Sequence, residues 1–190
     1  MTTNSKWIGM LLLFQMTLSA LGQNAEYCRY IQNPTRRNHC LAETTHQASH
    51  CDAIPEANEA NYCRAEIARD LSQCEKITDP GRAHWCLAMM SSNASYCAGV
   101  TRPGMAAYCR AVLTHHPADC DGIAVAETAN YCRAIASGSA NYCGYLKDAT
   151  DYYDCYAKQL NDSRYCWGDP IPDFRYYCLA LLSPTPKAPK

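Results

Sequence analysis

Small and aliphatic residues recur along this chain at a fixed interval of 23 residues. With the first cysteine of each interval counted as position 0, position +14 is alanine in all seven intervals. These alanines are Ala42, Ala65, Ala88, Ala111, Ala134, Ala157 and Ala180. Position +3 is Ile, Val or Leu in six intervals and Asp169 in the last, and position +11 is Tyr or Trp in five. This pattern predicts a stack of small repeated units that bury their apolar faces against one another.

The cysteines follow the same period, with one at position 0 and one at position +12 of every unit. The fourteen are Cys28, Cys40, Cys51, Cys63, Cys74, Cys86, Cys97, Cys109, Cys120, Cys132, Cys143, Cys155, Cys166 and Cys178. An even number at fixed spacing is typical of a disulfide framework. Pairs within units, such as Cys28–Cys40, use every thiol, whereas pairs between units leave Cys28 and Cys178 over. The spacing of the turns favours the second register, so both stay open, and we prefer the first.

Each unit is predicted to hold two helices. Proline stands at position +6 in four units, and in Asp79-Pro80 it follows a polar residue, which is typical of a helix start. The residues after it recur at helical spacing. We therefore predict an all-α fold: a disulfide-stapled α-solenoid of seven 23-residue two-helix repeats, with helices of about eight and eleven residues. At about 9–10 Å for each helix pair, it would be a rod or shallow arc roughly 60–70 Å long.

Three segments are expected along the chain. Residues 1–22 have a short n-region, an apolar run and small residues before Gly22, as in a secretory signal peptide. Their apolar run is too short to cross ~30 Å of hydrocarbon, so no membrane span is expected in the mature chain. Residues 23–182 would form the solenoid, and residues 183–190 a flexible tail rich in proline and lysine. We expect a periplasmic or secreted protein, since disulfides persist in oxidising compartments.

Composition narrows the function classes. The hydrophobic fraction of 48 % rests on Ala, Tyr and Cys, so the aliphatic core is thin and reduction should unfold the protein. The formal net charge of −1 gives no reason to expect nucleic acid as a partner. No C-x-x-C, G-x-S-x-G, P-loop or H-E-x-x-H motif is present. We therefore expect no enzymatic activity, no cofactor and no metal site.

Aromatic residues are concentrated near the C-terminus. The chain has 14 Tyr against 2 Phe, which favours rings at a wet boundary over rings in a dry core. Several rings of the last two units are not explained by packing over a neighbouring disulfide. Because Tyr and Trp dominate protein interfaces, we predict a partner-binding patch there, with a polar rim. Its residues are Tyr145, Tyr152, Tyr153, Tyr156, Trp167 and Tyr176, with Asp151 and Arg175 in the rim.

The chain resembles the short cysteine-rich two-helix repeats of exported bacterial and archaeal proteins, and is loosely similar to the Sel1-like cysteine-rich repeat proteins. The resemblance covers residues 28–182 and rests on one cysteine per helix and on the Y-C-R-A of residues 62–65 and 131–134. It implies non-enzymatic binding of another protein, and a periplasmic inhibitor or an immunity protein would be one form. Two alternatives stay open: a thiol-based copper-binding or storage protein, and a structural envelope component that self-assembles.

Overall fold

The computed structural model describes residues 24–183, so the predicted signal peptide and residues 184–190 of the predicted tail lie outside the described residues. Between these limits all regular secondary structure is helical and repeats every 23 residues, which confirms the predicted fold class. There are seven long helices, one in each unit: α1 (Pro34–Thr45), α2 (Ala57–Ala68), α3 (Pro80–Ser91), α4 (Pro103–Thr114), α5 (Ala126–Ser137), α6 (Ala149–Leu160) and α7 (Pro172–Leu182).

Local sequence explains where the long helices begin and end. Proline is the first residue of α1, α3, α4 and α7, where its missing N–H removes no helical hydrogen bond. The side chains of Asn33, Asp79 and Asp148 cap the first turns of α1, α3 and α6. Helices α1 to α6 each end at a residue with left-handed backbone, which is glycine only at Gly138.

The short helix of each unit, which comes before the long one, has fewer than the eight residues predicted. Four to six residues form a single tight turn, mostly of 3₁₀ geometry, before each long helix from α2 onward. These short helices are Ala48–Ala53, Ser72–Glu75, Ala94–Gly99, Pro117–Gly122, Ala140–Tyr145 and Tyr165–Gly168, and residues 24–28 are helical at the corresponding place in the first unit.

Seven disulfides join each short helix to the long helix of the same unit, so the structure has the register within units. Every cysteine is buried, and none of the fourteen is a free thiol. The bridge thereby fixes a turn that is too short to be stable as an isolated helix.

The hydrophobic core is divided into small clusters at the joints between units. Ala88 packs with Cys97, Val100 and Cys109 of the next unit, and the alanine column is 0–1 % exposed throughout. The same set of positions, +14 of one unit with 0, +3 and +12 of the next, recurs at four other internal joints. Only the joint before α7 differs, because Asp169 stands at +3 and is 2 % exposed.

The last unit packs against the first. Ala180 of the seventh unit contacts Cys28, Ile31 and Cys40 of the first, which is the same set of positions as at the internal joints. Helix α1 contacts α2 on one side and α7 on the other. The seven units therefore form a closed ring, and the predicted open rod is wrong.

Polar contacts repeat across the closing joint as well. The carboxylate of Asp173 accepts hydrogen bonds from the backbone N–H groups of Gln32 and Asn33 at 2.7 and 2.9 Å. At an internal joint the side chain of Asn58 accepts one from the N–H of Thr78 at 2.9 Å, 20 residues on.

With about 9–10 Å between neighbouring helix axes, seven helices would stand about 11 Å from the ring centre. That distance leaves a channel for side chains to fill.

Candidate functional sites

A ring of seven side chains from position +11 lines the central channel; we call it the channel ring. Its members are His39, Tyr62, Trp85, Tyr108, Tyr131, Asp154 and Tyr177, all half-buried. Tyr62 and Tyr131 border one cavity although their units stand on opposite sides of the ring, which places that cavity at its centre.

Neighbouring members of the channel ring touch one another. The ring centroids of Trp85 and Tyr108 are 5.9 Å apart, and those of Tyr108 and Tyr131 are 6.5 Å apart, with nearly parallel planes. The Tyr131 hydroxyl donates a hydrogen bond to Asp154 at 2.6 Å, and Lys158 forms an ion pair with Asp154 at 2.9 Å. Position +11 thus supplies both apolar surface and hydrogen-bonding groups to the channel.

Burial raises the pKa values of the channel tyrosines. It raises the pKa of Tyr62 and of Tyr108 to about 12, with nearby carboxylates adding to the effect. The pKa of Tyr131 is raised further by burial and by Asp154, and that of Tyr177 by burial and by Glu43. These hydroxyls therefore stay protonated, as hydrogen-bond donors, to a higher pH than exposed tyrosines do.

The central cavity has a volume of about 770 Å³ and lies toward the N-terminal ends of the long helices. Its wall carries charges of both signs, including Arg36, Asp151 and Lys158. The Arg36 guanidinium lies 3.9 Å from the centre of the Phe174 ring, in cation–π geometry. A second cavity of about 600 Å³ is bordered by Tyr62, Trp85 and residues of the second to fourth units. Pockets of this size bind small ligands in many proteins.

Four polar side chains of the channel, from the seventh, first and second units, meet beside the closing joint; we call them the channel cluster. His39 Nε2 lies 2.8 Å from Glu66 Oε2, and His39 Nδ1 lies 3.0 Å from the Tyr177 hydroxyl. That hydroxyl donates a hydrogen bond to Glu43. Although burial opposes protonation of His39, its hydrogen bond to Glu66 and the charge of Glu43 raise its pKa. Burial raises the pKa of Glu43.

The predicted partner-binding residues divide between two surfaces. Tyr145 and Trp167 are 66 % and 58 % exposed on the short helices, outside the ring. Asp151 borders the channel instead. The guanidinium of Arg175 donates two hydrogen bonds to the carbonyl of Asp169, at 2.9 and 2.7 Å.

The remaining predicted rings are half-buried, and Tyr152 and Tyr156 pack against the core cluster between the fifth and sixth units. Tyr152 contacts Tyr153 and Tyr156 with centroid distances of 5.2 and 4.8 Å, and Tyr156 stacks on Tyr165 at 5.3 Å. Tyr176 crosses the closing joint and contacts Tyr30 at 5.1 Å.

Ring closure adds a residue that sequence reasoning missed. Tyr30 is 57 % exposed and stands at position +2 of the first unit, as Tyr145 does in the sixth. Only closure places it beside Tyr176. We call the resulting outer band the aromatic arc; it consists of Tyr30, Tyr145, Tyr153, Trp167 and Tyr176. These residues occupy repeat positions +1, +2 and +10, so the sequence could have grouped them. It could not have indicated that the first and last units are in contact.

Together these features define a closed, disulfide-bonded ring of helical repeats. Comparison of the chain with protein-family models, with curated proteins and with solved structures finds no match. The similarity to Sel1-like repeats therefore stays a prediction. None of the helices within residues 24–183 is both long and apolar enough to span a membrane.

Proposed function

We propose that this protein is an exported, non-enzymatic binding module that recognises another protein through the aromatic arc. The observation that carries the proposal is that the three most exposed rings, Tyr30, Tyr145 and Trp167, belong to the first and the last two units. Position +2 is Tyr in the first and sixth units, whereas it is Ala53, Lys76, Gly99 and Gly122 in the second to fifth.

The arc has the composition of an interface. Tyrosine and tryptophan are enriched at the centres of protein–protein contacts, since they bury much apolar area and still offer a polar atom. Trp167 and Tyr145 are both more than half exposed, so most of their ring surface is available to a partner. Seven disulfides hold the arc rigid, which reduces the entropy lost on binding.

The seven disulfides also support an oxidising location, and we propose the periplasm or the extracellular medium. They weigh against the thiol-based copper alternative, because that function needs free thiols and no described cysteine is free.

The proposal is tested in two steps. The purified wild-type protein is used to capture binding partners from the exported fraction of the source cells, and the affinity of each variant for the captured partner is then measured. Trp167→Ala and Tyr145→Ala should each weaken binding of the captured partner by ~2 kcal/mol, about 30-fold, with little change in melting temperature. Tyr96→Ala is the matched control, because Tyr96 is also a tyrosine on the surface but lies outside the arc.

Unchanged affinity in both arc variants would show that the arc is not the site. Sedimentation of the purified chain distinguishes self-assembly through the arc from binding of a different protein. If the arc joins copies of this chain, the wild type sediments as a multimer and Trp167→Ala sediments as a monomer, and the proposal of a different partner protein is then wrong.

A further inference from the structure

The channel cluster brings four potential metal-binding groups to one place. One ligand atom each from His39, Glu43 and Glu66 lies within 4.8 Å of the other two. His39 and Glu43 are one turn apart on α1, Glu66 comes from α2, and Tyr177 approaches from α7. His39 and Glu66 are 23 % and 31 % exposed at their side chains, so the site is partly enclosed and still open to the channel.

The other repeats show that the fold does not need these residue types. Position +15 holds Glu43 and Glu66 in the first two units, but Met89, Val112 and Ile135 in the next three. Position +11 is an aromatic residue in five units and histidine only at His39. Because the same joints form with apolar side chains elsewhere, the charged set is a local departure from the repeat. Such departures are expected at functional sites.

The hydrogen bonds orient the histidine for coordination. The Tyr177 hydroxyl donates to Glu43, so its oxygen can accept from the Nδ1–H of His39. That arrangement leaves Nε2 as the nitrogen directed at Glu66, 2.8 Å away. A metal-binding histidine commonly has its other ring nitrogen held by such a partner.

We propose that the channel cluster binds one divalent metal ion of the zinc type, with His39, Glu43 and Glu66 as ligands and Tyr177 as a positioning residue. One imidazole and two carboxylates suit such an ion, and its charge would balance the two carboxylates. In a tetrahedral zinc site the ligand atoms are about 3.3 Å apart, so small side-chain movements suffice. The channel side leaves a fourth position for water or for a ligand.

The site is tested on tag-free, EDTA-treated protein with its disulfides intact, titrated with zinc chloride in a calorimeter. We expect one zinc ion per chain. His39→Gln and Glu66→Gln should each lower the affinity by at least about tenfold, and Tyr177→Phe by about tenfold with the stoichiometry unchanged. His115→Gln is the matched control, since His115 is an exposed histidine outside the cluster, and it should bind zinc as the wild type does.

Circular dichroism of each variant shows whether it folds, because these side chains also join α1, α2 and α7. A measurement on the wild type is independent of that question: anomalous scattering at the zinc edge from zinc-soaked crystals should place the ion between His39 and Glu66. Three results would overturn the proposal: no zinc binding by the wild type, His39 and Glu66 variants that bind zinc as tightly as the wild type does, or an ion located at His115 and His116. Because the arc lies outside the ring, failure here leaves the proposed function untouched.

Discussion

At the scale of single residues, the side chain at position +10 of one unit contacts position +2 of the next. This contact explains why Gly99 and Gly168 stand at +2. The ring of Tyr153 lies over Gly168, and the ring of His84 lies over Gly99; a Cβ atom at either glycine would overlap that ring. Gly122 also stands at +2, but it faces the small side chain of Ala107, at 3.8 Å from where its Cβ would be. Tyr153 therefore contributes to the joint between units as well as to the arc.

This difference predicts that Gly168→Ala destabilises the protein while Gly122→Ala does not. The new methyl group at Gly168 must displace the Tyr153 ring, which should cost about 1–3 kcal/mol of unfolding free energy. At Gly122 the methyl group has room, and the loss of glycine's freedom in the unfolded chain makes the change neutral or slightly stabilising. Denaturant unfolding of both variants measures the difference, and equal stabilities would contradict it.

The channel tyrosines predict how stability depends on alkaline pH. Folding raises the pKa of Tyr62 and Tyr108 to about 12, above the ordinary value of 10. Their contribution to stability is therefore complete below pH 10 and is lost as the pH rises from 10 toward 12. Absorbance at 295 nm should show that native protein at pH 11 ionises fewer of its 14 tyrosines than urea-unfolded protein does. Identical titration curves for the two states would show that these hydroxyls are not buried.

At the scale of the element, each unit is one long helix with a short helix fixed to it. Sequence reasoning found the unit, its two cysteines and the proline at the start of α1, α3, α4 and α7, because all of these are local signals. It predicted the short helix too long, since the 3₁₀ turn is set by the disulfide and by packing on two long helices rather than by its own residues.

Removing one bridge should weaken the ring without preventing its formation. In a Cys97→Ala/Cys109→Ala double variant the closed loop of about thirteen residues is lost, which predicts a decrease of about 3 kcal/mol in the unfolding free energy. Denaturant titration measures it. Complete reduction of the wild type should abolish the helical circular dichroism, and helical signal that survives reduction would show that the thin core is sufficient by itself.

At the scale of the whole molecule, the number of units was predictable and their closure was not. The period gives seven units directly from the cysteine spacing, but closure depends on the angle between successive units. That angle depends on how Ala88 and its equivalents pack against Cys97 and Val100. Such packing is a property of the three-dimensional structure and has no local sequence signal. The channel ring and Tyr30 in the arc were missed for this reason, since both exist only in the closed form.

Closure predicts that the chain tolerates circular permutation. The ends of the described chain meet, with the Asn24 side-chain amide donating to the Ser183 carbonyl at 3.1 Å. A permutant that joins residue 183 to residue 24 through a linker of about four residues, with new termini after His115, cuts no disulfide loop. It should fold with the same seven bridges, as checked by peptide mapping and circular dichroism. A permutant with scrambled bridges would contradict closure of the ring.

Because the closing joint uses the same positions as the internal joints, it restricts how the number of repeats can change. Each joint is a head-to-tail contact between unlike edges, and such contacts close only when the turns add up to a full circle, about 51° for each of seven units. One edge carries Ala180, and the other carries Cys28, Ile31 and Cys40. A chain that lost one unit would leave a gap and expose both edges. Its edges would then pair with those of other copies, and the expected product is an open filament.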